Sequence, residues 1–436
     1  MRADISHRRV LRIALPIVIS NATVPILGAV DTGVVGQLGA AAPIGAVGLG
    51  AVILASLYWI FGFLRMGTTG LVAQAHGAGD APEVAANLAR ALLIGGGAGL
   101  VLIVAQVPLF VLAFRLAPAS AEVEGLARSY LALRIWGAPA AISMYALTGW
   151  LIALERSRAV LAVQVWMNGL NVALDLWFVL GLGWGVEGVA IATLIAEWSG
   201  LALALWLARG AFALGHWRNG AQVFARAQLA RMARVNGDIM IRSVLLQAAF
   251  TSFLFIGAGL GDVTLAANQV LAQFLSITAF ALDGFAFAAE TLTGQAMGAH
   301  RPAALRRAAV VTSQWGVAGA LLLSLGFWVL GPAIIDLMAT APEVRAAARV
   351  FLPWLIAAPL IGIASWMLDG IFIGTTLTRE MRNAMLVAVP VYVAAAALLV
   401  PAFGNHGLWA ALMVLNAARA LSMAGYYPRA EARAAA

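Results

Sequence analysis

Long apolar stretches alternate with short polar segments along the whole chain. A helix needs about 20 apolar residues to cross a bilayer, and twelve stretches reach that length. The pattern predicts an all-α membrane protein with twelve transmembrane helices, near residues 10–36, 43–75, 85–113, 124–154, 158–182, 187–209, 232–259, 263–297, 305–331, 346–376, 382–402 and 406–426.

The longest polar segment between these stretches covers residues 210–231 and contains Arg218, Arg226 and Arg231. It divides the predicted spans evenly. We therefore predict two six-helix lobes, residues 1–209 and 232–436, joined by a cytoplasmic linker.

The first predicted span carries an acid and a proline. Asp31 has no basic residue nearby in the sequence, and a carboxylate in hydrocarbon is costly enough that it is usually paired, cavity-facing or functional. Pro25 lacks a backbone donor and favours a kink. The hypothesis is a bent helix with Pro25 as its hinge and Asp31 as a proton or ion site. The alternative is a buried acid that fixes helix packing through hydrogen bonds.

Three further polar residues lie at the predicted depth of Asp31. Asn171 and Asp175 are one turn apart in the fifth span, and Thr193 lies in the outer third of the sixth. Two carboxylates in a low-dielectric pocket cannot both ionise cheaply, so they should titrate as a pair, and the amide and hydroxyl can donate to them. This set predicts a proton-binding site, although Na⁺ could also bind these oxygens. Interhelical hydrogen bonding without ion binding is the alternative.

Two segments of the chain repeat each other. GLVAQAHGAG at residues 70–79 is similar to TLTGQAMGAH at residues 291–300, and each ends a predicted span. Because both halves begin on the same side and contain an even number of spans, the repeat is parallel, with its axis along the membrane normal. By the repeat offset, Asp31 corresponds to Ser252 and Asp175 to about Ala394. The acids have no counterpart there, which favours ion coupling in the amino-terminal lobe.

The composition excludes several kinds of chemistry. The chain is 63% hydrophobic and 11% charged, it has no cysteine, and all 27 of its basic residues are arginine. Disulfides, thiolate nucleophiles, a P-loop lysine and a lysine Schiff base are therefore excluded. We find no catalytic or metal-binding motif, so we predict no catalytic residue, no metal site and no cofactor, with H⁺ or Na⁺ as the coupling ion.

The arginines are distributed unevenly between the two sides of the predicted membrane. With the amino terminus inside, nineteen arginines lie in inner segments and four in outer loops. By the positive-inside rule, both termini are predicted to be cytoplasmic.

Several motifs resemble those of the multidrug and toxic compound extrusion (MATE) transporters, in their DinF-like branch. The resemblance covers nearly the whole chain, and its most specific parts are LP at 15–16, DTGVVG at 31–36, the two repeated segments, DGFAFAAE at 283–290, DGIFIG at 369–374 and TREMRN at 378–383. It implies an antiporter that exports amphipathic, often cationic compounds against inward H⁺ or Na⁺ flow. It also assigns ion coupling to Asp31, Asn171, Asp175 and Thr193.

The resemblance further implies a multi-pass protein of the bacterial cytoplasmic (inner) membrane. Its partners would be amphipathic small molecules and the lipid bilayer, without nucleic acid. We expect it to act as a monomer.

Other acids and one arginine in the predicted spans are possible secondary polar sites. Arg242, Glu290 and Asp283 have similar depths or share a face, so a charge-paired cluster is expected. Asp369 of the tenth span is ambiguous. In other branches of the resembled family such an acid joins a cation site together with a seventh-span glutamate, which this chain lacks.

Glu197 shares a helix face with Thr193, one turn deeper. Two interpretations are open for it. It is either a second proton carrier or the ion-pair partner of Arg65 or Arg134.

Two other functions compete with drug export. A lipid or lipid-linked-oligosaccharide flippase of the same superfamily would need an arginine-lined cavity, for which Arg65, Arg134, Arg242 and Arg419 are candidates. A membrane-embedded lipid-modifying enzyme would need clustered nucleophilic or metal-binding residues, and we find none.

Overall fold

The computed structural model describes residues 5–23, 30–31, 33–37, 40–213 and 215–436. We number its principal helices in chain order: α1 (His7–Ala22), α2 (Ala41–Gly77), α3 (Ala81–Val104), α4 (Ala121–Ala153), α5 (Ser157–Gly181), α6 (Gly185–Leu207), α7 (Arg226–Ala258), α8 (Asp262–Gly298), α9 (Pro302–Met338), α10 (Pro342–Gly374), α11 (Thr378–Phe403) and α12 (Asn405–Ala435). A shorter apolar helix, Gln106–Leu116, lies between α3 and α4.

Counted over the described residues, eleven helices, α2 to α12, are long and apolar enough to cross a membrane. In the same ranges all regular secondary structure is helical. The first predicted span, residues 10–36, is represented by α1 and by the helical residues 30–31 and 33–36. Pro25, the predicted hinge, lies outside the described residues. The prediction of an all-α membrane protein is confirmed.

Side-chain caps and a glycine set several helix boundaries. Asp80 accepts a hydrogen bond from the Glu83 amide at the start of α3 (3.0 Å), and Ser120 accepts one from the Val123 amide at the start of α4 (3.3 Å). Each cap satisfies an amide that the first helical turn leaves unbonded. Gly404 alone separates α11 from α12 and has a φ of 56°. A residue with a Cβ would be strained there, so glycine permits this tight connection.

The described chain divides into two compact units. The first contains the chain up to Val18, Thr69–Gly79 and Arg231–Ala436, and the second contains Ile19–Thr68 and Asp80–Ala230. The end of α2 thus belongs to the same unit as α7 to α12. The predicted lobes, 1–209 and 232–436, differ from these units in the first half of the chain and remain a prediction.

Within the first unit, the ends of α2 and α8 contact each other through two glycines. A Cβ on Gly77 would collide with the backbone oxygen of Gln295, and a Cβ on Gly298 would collide with that of Gln74. These residues belong to the two repeated segments, 70–79 and 291–300. The segments therefore occupy equivalent positions, and their glycines permit the close backbone approach.

The two glutamines of the repeated segments have equivalent arginine partners. Arg9, near the start of α1, donates to Gln295 Oε1 (2.8 Å). Arg231, near the start of α7, donates to Gln74 Oε1 (2.6 Å). Each bond joins one repeat to the other, so the internal symmetry extends to side-chain contacts.

Candidate ion-coupling site

The second compact unit brings together the four residues predicted to bind the coupling ion. Asn171 and Asp175 lie in α5, Thr193 lies in α6, and Asp31 lies in the helical segment that follows α1. Asn171 and Asp175 are almost fully buried, with 1% and 0% of their surface exposed. Asp31 and Thr193 are half-buried. The four side chains thus form one polar site on three segments of the chain.

The Asn171 amide is the centre of this site. With its nitrogen toward the acids, it donates to Asp31 Oδ1 (3.1 Å) and to Asp175 Oδ2 (3.3 Å), and its oxygen accepts from Thr193 Oγ1 (3.1 Å). A single amide group therefore connects both carboxylates to the hydroxyl. This orientation suits carboxylates that are ionised, since both then act only as acceptors.

The opposite orientation of the same amide suits a protonated site. Its nitrogen then donates to Thr193 Oγ1 (3.1 Å), and Thr193 donates onward to the backbone oxygen of Val189 (2.9 Å). The amide oxygen faces the acids and needs a donor, which a protonated carboxyl group supplies. The site can therefore accommodate two protonation states by rotating one side-chain amide.

The two acids also interact with each other. A hydrogen bond between two carboxyl groups requires a proton on one of them. Asp175 Oδ1 is buried without a hydrogen-bond partner in the described part of the chain. This arrangement gives the pair the capacity to bind and release a proton as a unit.

The helix that carries Asn171 and Asp175 changes its winding immediately after the second acid. Its α-helical part ends at Asp175, and Leu176–Gly181 form a π-helix. Beyond it, the rings of Phe178 and Trp184 stack with their centroids 4.9 Å apart. Such wider turns are rare and are frequently found at functional sites. No sequence signal predicted this one.

Glu197 forms a buried ion pair with Arg134 of α4. The guanidinium group donates from Nη1 and Nη2 to the two carboxylate oxygens, at 2.7 and 2.9 Å. Only 8% of the Arg134 side chain and 13% of the Glu197 side chain are exposed. Of the two arginine partners predicted for Glu197, the structure supplies Arg134. A role for Glu197 as a second proton carrier remains a prediction.

Arg134 also connects this ion pair to the acid site. It interacts electrostatically with Tyr130, one turn earlier in α4, and with Asp31. A Cβ on Gly137 would collide with Glu197 Oε2, so glycine at this position leaves room for the pair. The sequence indicated Arg134 as one of two partners for Glu197, and it did not indicate Gly137.

In the first unit, Asp369 of α10 lies between two arginines. Arg242 of α7 and Arg419 of α12 both bond to Asp369 Oδ2. The pairing of Arg242 with Asp369 was not predicted, because sequence depth grouped Arg242 with Glu290. Glu290 is buried and interacts elsewhere on the chain, as does Asp283. With two arginines on one of its oxygens, Asp369 is poorly suited to a cation site.

No group of three or more histidine, aspartate or glutamate side chains within the described ranges could hold a metal ion.

Comparison with known families and proteins gives consistent matches. The MatE family model matches residues 16–177 and 239–399. The chain is 40% identical over 428 residues to DNA damage-inducible protein F of Escherichia coli, covering 97% of this chain and 92% of that protein. It is 28% identical over 375 residues to a probable multidrug resistance protein NorM of Pseudomonas aeruginosa, covering 83% and 75% of the two chains.

Solved structures share the fold. A MATE in the bent conformation matches with a TM-score of 0.86 and 19% identity, covering 98% of this chain and 96% of that one. A MOP superfamily transporter from Pyrococcus furiosus, described with a binding pocket of reverse polarity, matches with a TM-score of 0.82 and 20% identity over 98% and 96%. These matches confirm the predicted fold class, a two-lobed, all-α membrane protein.

Proposed function

Because this chain belongs to the MatE family of multidrug and toxic compound extrusion transporters, in the branch of DinF, we propose that it exports amphipathic, often cationic small molecules in exchange for H⁺. The family consists of transporters rather than enzymes, so the lipid-modifying enzyme is not retained. The observation that carries the proposal is the Asn171 amide, which lies within hydrogen-bonding distance of both acids, Asp31 and Asp175.

The geometry of this site favours H⁺ over Na⁺ as the coupling ion. A hydrogen bond between Asp31 and Asp175 needs a proton and no metal ligand. Na⁺ between the two carboxylates would leave the carboxyl groups unable to bond to each other.

Proton binding has a defined consequence in this arrangement. A proton on either carboxyl group favours the amide orientation that points oxygen toward the acids. The Asn171 nitrogen then donates to Thr193, which directs its own proton to Val189. The hydrogen bonds between α5 and α6 therefore change with proton occupancy. Bending of the first predicted span at Pro25 would convert this change into alternating access, and the substrate would leave as the proton enters.

The cellular setting is also part of the proposal. The chain is a multi-pass membrane protein, and we place it in the bacterial inner membrane as a monomer with both termini in the cytoplasm. No cofactor beyond the coupling ion is required.

Transport of a fluorescent cationic dye in proteoliposomes tests this function. A pH gradient and a Na⁺ gradient are applied separately to the parent, to Asp31→Asn and to Asp262→Asn, a control at an exposed acid in the first turn of α8. We expect dye movement driven by the pH gradient alone, lost in Asp31→Asn and retained in the control. Movement driven by the Na⁺ gradient alone would refute proton coupling, and unchanged movement in Asp31→Asn would refute the site.

A second candidate function is lipid flipping within the same superfamily. The buried arginines 242 and 419 favour it, because guanidinium groups bind phosphate. If neither gradient moves dye, flipping of a fluorescent phospholipid in the same vesicles is the function to measure.

A further inference from the structure

Three buried charged side chains meet between α7, α10 and α12, far along the chain from the proposed proton site. Arg242 and Arg419 both bond to Asp369 Oδ2, the latter at 2.5 Å. Their exposed fractions are 7%, 6% and 6% for Arg242, Arg419 and Asp369. We name these three residues the arginine–aspartate cluster. With all three ionised, it carries one more positive charge than negative.

The other side chains that line the cluster are apolar and do not neutralise its excess positive charge. Methionines 381 and 385 of α11 and Met423 of α12 line it, together with Ala384. Among the described residues, Asp369 and Arg242 act electrostatically on Arg419. A buried charge without a counter-charge is strongly unfavourable, so the cluster attracts a further negative group.

The hydrogen bonds of the cluster are incomplete. Both arginines converge on one oxygen of Asp369, while Oδ1 has no hydrogen-bond partner among the described residues. The Nε of Arg242 is likewise buried without an acceptor in the part of the chain that the structure describes. Two guanidinium groups aimed at one point are the arrangement that recognises carboxylate and phosphate oxygens.

We propose that the arginine–aspartate cluster binds an oxyanion, a carboxylate or phosphate group, and that the Asp369 carboxylate is its internal competitor. The space between the lining side chains is too narrow in this conformation to admit a water molecule. Binding therefore requires Asp369 to turn away from the arginines. The methionines allow this because their unbranched side chains repack readily. This site is independent of the proton site and of the proposed cationic substrates.

The competitor role predicts opposite effects from neighbouring substitutions. Asp369→Asn removes the competing charge but keeps the side-chain size, so it should strengthen oxyanion binding. Arg419→Gln removes one of the two cationic partners and should weaken it. A cluster that only holds helices together would respond differently, because either change would destabilise the protein without creating any response to oxyanions.

Thermal unfolding of the purified full-length protein in detergent tests the proposal. Sodium phosphate replaces sodium chloride at constant ionic strength, and tryptophan fluorescence reports Tm. We expect phosphate to raise the Tm of the parent, with a half-saturating concentration at least tenfold lower in Asp369→Asn and at least tenfold higher in Arg419→Gln.

The matched control is another aspartate beside two arginines. Asp336 lies 2.6 Å from Arg349 and 3.9 Å from Arg345, but all three side chains are more than a third exposed. Asp336→Asn should leave the phosphate response unchanged. An equal response in Asp336→Asn and Asp369→Asn would assign phosphate binding to surface arginines and overturn the proposal.

A second arm separates a soluble oxyanion from a lipid headgroup. The same variants are compared in nanodiscs of phosphatidylglycerol and of phosphatidylcholine. A response to phosphatidylglycerol but not to phosphate, lost in Arg419→Gln, would support a lipid phosphate as the source. If Arg419→Gln does not fold, Arg242→Lys takes its place. Lysine keeps the positive charge but lacks the planar guanidinium group that binds two oxygens at once. If neither the parent nor Asp369→Asn responds to either probe, the proposal is overturned.

Discussion

Gly137 leaves room for the ion pair between Arg134 and Glu197, and Gly137→Ala should displace and weaken that pair. A Cβ at this position would collide with Glu197 Oε2 and lie 3.1 Å from Arg134 Nη1. The backbone of Gly137 has a φ of −79° and a ψ of −13°, which alanine adopts without strain. The steric contact is therefore the main new cost, and the Glu197 carboxylate is the group that has to move.

The expected loss of stability follows from the burial of the pair. With 8% and 13% of the two side chains exposed, Glu197 has little space into which it can shift. Overpacking a buried site costs about 1–3 kcal/mol, and replacing a helical glycine by alanine gains about 0.5–1 kcal/mol. The free energy of unfolding should therefore fall by about 0.5–2 kcal/mol.

Thermal unfolding followed by tryptophan fluorescence measures this loss as a lower Tm. The matched control is Gly125→Ala in the same helix, because no described atom lies within 4 Å of a Cβ there. It should keep or slightly raise Tm. In a Glu197→Ala background the collision is absent, so Gly137→Ala should cause no further fall. An equal Tm for the two alanine variants, or an equal fall in both backgrounds, would refute the reasoning.

Two further predictions concern buried contacts in the first unit. Gly77→Ala should lower the free energy of unfolding by about 1–3 kcal/mol, because its Cβ meets the rigid backbone of Gln295. Asn268→Ala should cost about 1–3 kcal/mol, because Asn268 exchanges hydrogen bonds with Asn405 (2.8 and 2.9 Å) and accepts one from Trp409 (3.0 Å). Both losses of stability are measured as a lower Tm of the protein in detergent.

Each of these substitutions has a control of the same type. Gly48→Ala lies in α2, where no described atom is within 4 Å of the new Cβ, and Asn219→Ala lies at an exposed position. Both should leave Tm nearly unchanged. If Gly77→Ala and Gly48→Ala have the same Tm, the contact of α2 with α8 is looser than the structure shows. If Asn268→Ala matches Asn219→Ala, its partners find other hydrogen bonds.

The grouping of the four polar residues of the candidate site was predictable from the sequence. Counting residues from the ends of apolar stretches placed Asp31, Asn171, Asp175 and Thr193 at one level, and the structure brings these four side chains together. This works because a membrane helix rises by a constant 1.5 Å per residue. Depth is therefore a property of each span by itself.

Lateral pairing was not predictable in the same way. Arg242 and Asp369 are 127 residues apart, and Arg419 lies 50 residues beyond Asp369. The predicted depth of Arg242 in its span grouped it with Glu290 instead. Which helix faces which, and by what rotation, depends on side-chain packing between helices.

The sequence by itself determined the membrane class, the helices, the internal repeat and the family. These follow from hydropathy, residue spacing and local motifs, which are properties of contiguous segments. Only the tertiary structure revealed the place of Gly137 beside the Arg134–Glu197 pair, the π-helical turn after Asp175 and the two arginines on Asp369. Each of these depends on distances between residues of different helices or on a change of winding, and neither leaves a periodic signal along the chain.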